Sequence, residues 1–281
     1  MKPLIINLAP TGMIPTKSMT PHVPVSPDEI VADVLACLPL GVGMVHLHAR
    51  DADGNPAYQG AYYRDIIPRL RAAAPELVIV ATTSGRTFFE FEKRSEVLRL
   101  DGDAKPDMGS LTLSSVNFNK IASVNSPDMI MALAGTMRER GIKPELEIFD
   151  LGMVNVAHYL IKKDLLAPPY YFNILLGNVA AAQAKLIHLG LIVSELPRPC
   201  FWSVTGIGGA QLPMNAVGAV EADGIRVGLE DNIYFDAART TLATNRMLLE
   251  RLRRIIDALE RPVATSGDVR SMLGLPGRVA V

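Results

Sequence analysis

Eight short apolar runs, separated by stretches that carry helix signals, set the strongest limit on how this chain can fold. The runs cover residues 4–8, 44–48, 78–82, 108–111, 145–149, 171–176, 201–204 and 225–228, each of strand length. Between them, Ser26-Pro27-Asp28-Glu29 supplies an N-cap serine, a proline in the first turn and a glutamate three positions on. Ser126-Pro127-Asp128 repeats the cap, and Met247, Leu248, Leu252, Ile255, Ile256 and Leu259 recur at helical spacing with charged residues between them. Strands alternating with helices imply an α/β fold with a parallel sheet. Eight such units in 281 residues predict a (β/α)8 TIM barrel, for which about 250 residues is typical. The rival is a doubly wound open sheet. No Gly-x-Gly-x-x-Gly follows the first run and no phosphate-loop lysine motif occurs, so nothing favours it. Without an internal repeat or a Pro/Gly/Ser-rich linker, residues 1–281 read as a single domain, with the segment after about residue 235 forming a last helix and a C-terminal tail.

Composition narrows the partners. With 28 basic against 29 acidic side chains and 49% hydrophobic residues, the chain offers no electrostatic case for nucleic acid or an anionic membrane. Its most apolar stretch, 170–184, is interrupted by Asn173, Gly177 and Asn178 and falls short of the roughly 20 residues a spanning helix needs. The N-terminal apolar run is too short for a secretion signal. Cys37 and Cys200 lie far apart and read as reduced, buried thiols, so a cytoplasmic home is expected.

Chemistry concentrates at the ends of the runs, where a barrel carries its functional groups. In Val45-His46-Leu47-His48, strand alternation places both imidazoles on one face, where they can grip one metal ion. In the last run, Arg226, Gly228 and Glu230 share an alternation face. Barrel closure sets the eighth strand beside the first, one strand from the second, so Glu230 can complete a site begun by His46 and His48. Two imidazoles, a carboxylate and an open position describe catalytic zinc. On the fifth strand Glu145 and Glu147 share a face; Glu147, nearer the C-terminal end, is read as a site residue and Glu145, deeper, as half of a structural ion pair. Thr82, Thr83, Ser84 and Gly85 form a hydroxyl-rich turn that suits an anion or a plain cap, and Ser110 is read the same way.

Taken together, Ala9-Pro10-Thr11-Gly12, Val45-His46-Leu47-His48-Ala49-Arg50, Pro144-Glu145-Leu146-Glu147, Trp202-Ser203-Val204-Thr205-Gly206-Ile207-Gly208 and Arg226-Val227-Gly228-Leu229-Glu230-Asp231-Asn232 resemble the β-keto acid cleavage enzymes. The likeness runs from about residue 4 to about residue 275. It implies a zinc-dependent barrel that takes a β-keto acid and acetyl-CoA and returns acetoacetate and a new acyl-CoA, as a homo-oligomer, commonly a tetramer. By position, it implies His46, His48 and Glu230 as metal ligands, Asp231 as general base and Arg226 as the group that orients it. Glu147 matches an acidic active-site residue, Thr82 and Ser110 keep a hydroxyl where relatives can have serine and threonine, and Gly85 matches a glycine of the substrate-binding turn. The sign of any shift in Asp231 basicity is left open, because burial and Arg226 act oppositely.

One departure concerns the substrate. Relatives that cleave 3-keto-5-aminohexanoate read Thr-Gly-Ala-Glu after the first strand, the glutamate meeting the amine, whereas this chain has Thr11-Gly12-Met13-Ile14. Isoleucine cannot pair with an ammonium, so a substrate without a 5-amino group is expected, with Ile14 touching substrate or packing under the next loop. Three other functions compete. A metal-dependent TIM-barrel hydrolase of the amidohydrolase type would need further histidines after middle strands, yet His158 and His188 fall in helical segments and His22 precedes the first helix. An acyl-CoA lyase of this fold would carry His-x-His on a late strand. A non-enzymatic binding protein would need neither Asp231 nor an open metal position.

Overall fold

All eight predicted strands form in the computed structural model, which describes residues 1–278; the last three positions of the expected tail lie outside the described residues. The strands are β1 (Ile5–Leu8), β2 (Met44–Leu47), β3 (Val78–Ala81), β4 (Met108–Thr112), β5 (Lys143–Ile148), β6 (Tyr170–Leu176), β7 (Cys200–Gly206) and β8 (Gly224–Val227). Each pairs in parallel with the next, and β8 pairs with β1, closing an (β/α)8 barrel. In register, Asn7 of β1 stands opposite Arg226 of β8 on one side and Met44 of β2 on the other. The expected adjacency of strands eight, one and two is therefore real.

Helices α1 (Pro27–Cys37), α2 (Gly60–Ala73), α3 (Phe91–Ser95), α4 (Pro127–Glu139), α5 (Leu151–Lys162), α6 (Leu186–Glu195), α7 (Gln211–Glu221), α8 (Asn245–Ala258) and α9 (Ser266–Leu273) follow in chain order. Ser26 caps α1 through a capping box with Glu29, and Ser126 caps α4 by accepting from the Met129 N–H. Buried Leu248, Leu249, Leu252 and Ile256 form the inner stripe of α8. Among the described residues, no helix is long and apolar enough to cross a membrane.

Strand alternation sorts the core into two parts. Ile6, Leu8, Val45, Leu47, Ile79 and Ala81 face outward into the layer shared with the helices. Ile5, Met44, Val78, Val80, Met108 and Tyr171 face inward and pack with Val269 and Leu273 of α9. The tail helix thus plugs the N-terminal end of the barrel with apolar side chains. Further along the same inward rows the residues turn polar, with Asn7, His46, Glu145, Asn173 and Arg226 all buried. That polarity has to be met internally at the C-terminal half of the barrel.

Two corrections arise at this level. Pairing of β8 stops at Val227, and Gly228 to Asp231 form a turn, so Glu230 does not reach the site by strand alternation. Gly228 is pressed against the chain just past β1, where an added Cβ would lie 2.0 Å from the Ala9 carbonyl oxygen, and that carbonyl accepts from the Glu230 N–H at 3.2 Å. The chain leaves the sheet there. Cys37 is buried as expected, but Cys200, at the start of β7, is only half-buried; both thiols are free.

Candidate active site

His46 projects inward from β2, and His48 follows directly after the strand; their Nε2 atoms lie 3.3 Å apart. His46 Nδ1 sits 2.6 Å from Glu145 Oε2, and the other Glu145 oxygen accepts from Asn7 Nδ2 at 2.8 Å. This places the His46 proton on Nδ1 and leaves Nε2 free to act as a ligand atom. His48 Nε2 is 3.1 Å from Glu230 Oε1. Glu145 is paired, as expected, and its partner is His46, so it fixes the orientation of that ring. The available signal for that partner was its shared face with Glu147 in a barrel whose second strand carries inward histidines.

The turn that carries Glu230 and Asp231 is braced from several directions. Gln211 Nε2 donates to the Gly228 carbonyl at 2.9 Å, Asn245 Oδ1 accepts from the Leu229 N–H, and the Gly208 N–H donates to the Asp231 carbonyl at 2.7 Å. Behind Glu230 lies Gly12 at φ +65°, where an added Cβ would come within 2.5 Å of Glu230 Cγ. Arg50, buried and unassigned by sequence, holds that loop by donating to the Gly12 and Pro15 carbonyls at 2.6 and 2.9 Å. Loop and carboxylate are thereby packed as one unit.

Arg226 is the hub. Its Nε and Nη2 donate to the two Asp231 oxygens at 3.0 and 3.1 Å, Nη2 also lies 2.7 Å from Glu230 Oε1, and Nη1 is 3.5 Å from Glu147 Oε1. Thr112 Oγ1, one residue past the end of the predicted fourth strand, donates to Glu147 Oε2 at 2.6 Å. Glu147, Glu230 and Asp231 thus converge on a single guanidinium, while Glu145 is held nearby by His46 and Asn7.

That imbalance shapes the acidities. Burial raises Asp231 above the ordinary aspartate value and neighbouring Glu230 adds to this, while Arg226 opposes without prevailing. The sign left open by the sequence is therefore upward. Glu147 is also raised, chiefly by burial, against the pull of His46 and Arg226. Burial works the same way on Glu230, but Arg226, His48 and His46 together hold it well below the usual range. Burial pushes His48 down to about 4, so it is neutral at pH 7. Burial and Arg226 act to lower His46, yet Glu145 and Glu230 overcome them and its basicity ends raised.

The donor set suits a cation. The ligand atoms of His46, His48 and Glu230 lie within 4.8 Å of one another, and Glu230 Oε2 is buried without a hydrogen-bond partner among the described residues. A second grouping, His46 with Glu145 and Glu147, is equally compact. Its atoms, however, are already engaged with Asn7, Thr112, Arg226 and the His46 Nδ1 proton. Two imidazoles, one carboxylate and open positions make the first set the better fit for a catalytic metal.

The remaining candidates divide. Thr82, at the end of β3, lines a cleft beside His48 together with Met13, Ala57, Tyr58 and Phe88. Ser110 is buried, and its hydroxyl accepts from the Thr83 N–H at 3.1 Å, so it shapes the Thr82 turn. Gly85 sits in that turn, its carbonyl accepting from the Val124 N–H at 3.0 Å. Ile14 is 47% exposed on the loop after β1, and its neighbour Met13 lines the cleft. His158 lies on α5 and meets the Glu195 carbonyl; His188 lies on α6 and accepts from the Gln183 N–H. Neither approaches the His46–His48 pair as an amidohydrolase-type ligand would.

A family profile described as beta-keto acid cleavage enzyme matches residues 3–275. A 3-keto-5-aminohexanoate cleavage enzyme of Acetoanaerobium sticklandii is 31% identical over 276 residues, covering 98% of this chain and 99% of that protein. A 3-oxoadipate:acetyl-CoA acetyltransferase of Cupriavidus necator is 33% identical over 279 residues, covering 98% and 96%. Among solved structures, a binary complex of ObcA with oxaloacetate superposes with a TM-score of 0.78 at 22% identity, covering 92% of this chain and 68% of that one, a likeness of fold.

Proposed function

Because the chain belongs to the β-keto acid cleavage enzyme family, we propose that its site condenses a β-keto acid with acetyl-CoA and releases acetoacetate and a new acyl-CoA. The observation that carries the reading is a buried carboxylate, Asp231, gripped at both oxygens by Arg226 and held beside the His46, His48 and Glu230 set. A base of that kind, raised in basicity yet fixed in direction, suits removal of a proton from carbon.

His46, His48 and Glu230 would hold zinc, which when bound supplies positive charge against the ketone oxygen as the adjacent carbon loses its proton. Asp231 takes that proton from the carbon between ketone and carboxylate. Arg226 keeps the acceptor oxygen aimed and, through Nη1, shares its charge with Glu147. The carbanion attacks the acetyl thioester carbonyl, forming a carbon–carbon bond and expelling CoA thiolate. The thiolate then adds to the former ketone carbon, the bond from that carbon to the carbon that lost its proton breaks, and the electron pair left on the latter takes the proton back from Asp231 to give acetoacetate. Atoms balance with no oxidant or reductant. Thr82, Gly85 and Ser110 form the wall along which the substrate lies, Ser110 acting through the Thr83 backbone.

Ile14 and Met13 supply no acid to an amine-bearing tail, so the substrate lacks the 5-amino group of the compound in the A. sticklandii enzyme's name. The enzyme works as a cytoplasmic homotetramer in this reading. Protein loaded with zinc, incubated with a panel of β-keto acids and acetyl-CoA, should yield acetoacetate; chelator-stripped protein should not. Equal turnover after stripping removes the metal from the mechanism.

A further inference from the structure

The turn after β3 is followed by Arg86, a guanidinium in an unusual position. Arg50 and Arg94 each hold three neighbouring oxygens, and Arg226 binds carboxylates through all its nitrogens. Arg86 Nε is buried with no hydrogen-bond partner among the described residues. Its guanidinium carbon lies 3.6 Å from the centre of the Phe118 ring, and Phe118 in turn stands edge-on to Phe149 at 5.6 Å. Burial lowers the basicity of Arg86, while Glu230, Glu147 and Asp231 oppose that loss and Arg226 adds to it. The side chain therefore feels the charges of the active site while bonding none of them.

Arg86 is half-buried, and a guanidinium whose Nε is desolvated without a partner carries a cost that the stack on Phe118 offsets only in part. An incoming β-keto acid brings the missing partner. Its carboxylate must enter a pocket already holding Glu145, Glu147, Glu230 and Asp231, and Arg226 is fully engaged there. Arg86 is free. It also lies among the loops after β3, β4 and β5, whereas Met13 and Ile14 belong to the loop after β1. Resting on the reaction proposed above, we infer that Arg86 binds the carboxylate of the β-keto acid, and of product acetoacetate, with Phe118 holding the guanidinium plane.

The test uses Arg86→Met, which keeps the packing on Phe118, and Arg86→Lys, which keeps the charge without the fork. In Arg86→Met, KM for the β-keto acid should rise about 10- to 100-fold, the scale of one charged hydrogen-bonded contact, with KM for acetyl-CoA unchanged and kcat altered far less. Arg86→Lys should recover part of the loss. Acetoacetate titrated into each protein without acetyl-CoA should show the same weakening by calorimetry, a readout independent of turnover. A rise in KM for acetyl-CoA alone would assign Arg86 to a CoA phosphate and overturn the inference, as would variants that match the parent in both substrates. A parent that binds acetoacetate through Arg86 but performs no cleavage would sink the proposed reaction and leave this contact standing. Neither turnover nor acetoacetate binding in the parent would overturn both.

Discussion

Replacing Glu145 by glutamine separates the role of its charge from that of its shape. Glu145 is fully buried and accepts from His46 Nδ1 at 2.6 Å and Asn7 Nδ2 at 2.8 Å. A glutamine can still offer its oxygen to His46, but its NH2 then faces the Asn7 NH2. Asn7 can resolve the clash by turning its amide over, because Asn7 Oδ1 is buried with no partner to lose. The fold should therefore survive Glu145→Gln nearly intact. What disappears is the negative charge that raises the donor strength of His46. Loss of such a supporting group lowers metal affinity or activity about 10- to 100-fold, or about 1.4–2.8 kcal/mol. Glu145→Leu is a different perturbation. It leaves the His46 and Asn7 donors unpaired in a dry interior at about 1–3 kcal/mol each, a large part of the roughly 5–15 kcal/mol that holds a domain folded. Competition with a chromophoric zinc chelator reads the first effect, and urea unfolding of stripped protein reads the second. If Glu145→Gln binds zinc as tightly as the parent, or is destabilised as much as Glu145→Leu, the orienting role is wrong.

Three further outcomes are expected. Asp231→Asn keeps one of the two Arg226 contacts and cannot accept the carbon-bound proton, so turnover should fall at least about 10²-fold with zinc retained; α-proton exchange at the parental rate in deuterium oxide would move the base elsewhere, to Glu147 first. Ile14→Glu restores an acid to the loop after β1, and the ratio of kcat/KM for 3-keto-5-aminohexanoate over an uncharged β-keto acid should rise, because the parent makes an ammonium bury itself unpaired at several kcal/mol; an unchanged ratio would mean the tail is read by another wall. Asp33 is raised from 3.8 to about 6, chiefly by burial, with Asn245 and Lys17 opposing. The folded state thus holds a proton that the unfolded state has released, and stability on this account falls as pH rises from about 4 to about 6, by on the order of 3 kcal/mol. Unfolding curves across that range should lose this decline in Asp33→Asn, and parallel curves would refute the assignment.

The barrel was legible because eight apolar runs carry two-residue alternation, which fixes which side chains turn inward once the sheet closes. His46 was found by that rule, and His48 lies just beyond the strand where the rule still holds. Glu230 and Asp231 do come to lie beside His48 and Arg226, but the path expected for Glu230 was not the one the chain takes. The strand ends at Val227, Gly228 lies tight against the Ala9 carbonyl, and contacts from Gln211 and Asn245, distant in sequence, brace the turn that follows. Such support leaves no local pattern. The same holds for Glu145, whose partner is a histidine 99 residues away, and for α9, which was expected only as part of the C-terminal tail although it closes the barrel floor. Near the cleft, a register of one residue decided between Met13 and Ile14. Loop conformation sets that choice, and no periodicity governs it.

The most direct test of the reaction follows carbon. Acetyl-CoA labelled with carbon-13 in both acetyl positions is incubated with zinc-loaded enzyme and an unlabelled β-keto acid, and the products are read by NMR and mass spectrometry. The account predicts acetoacetate labelled at carbons 3 and 4, the acetyl half, and an unlabelled new acyl-CoA in equal amount. Label released as acetate, or left on CoA while the keto acid is consumed, would contradict the condensation and cleavage described here.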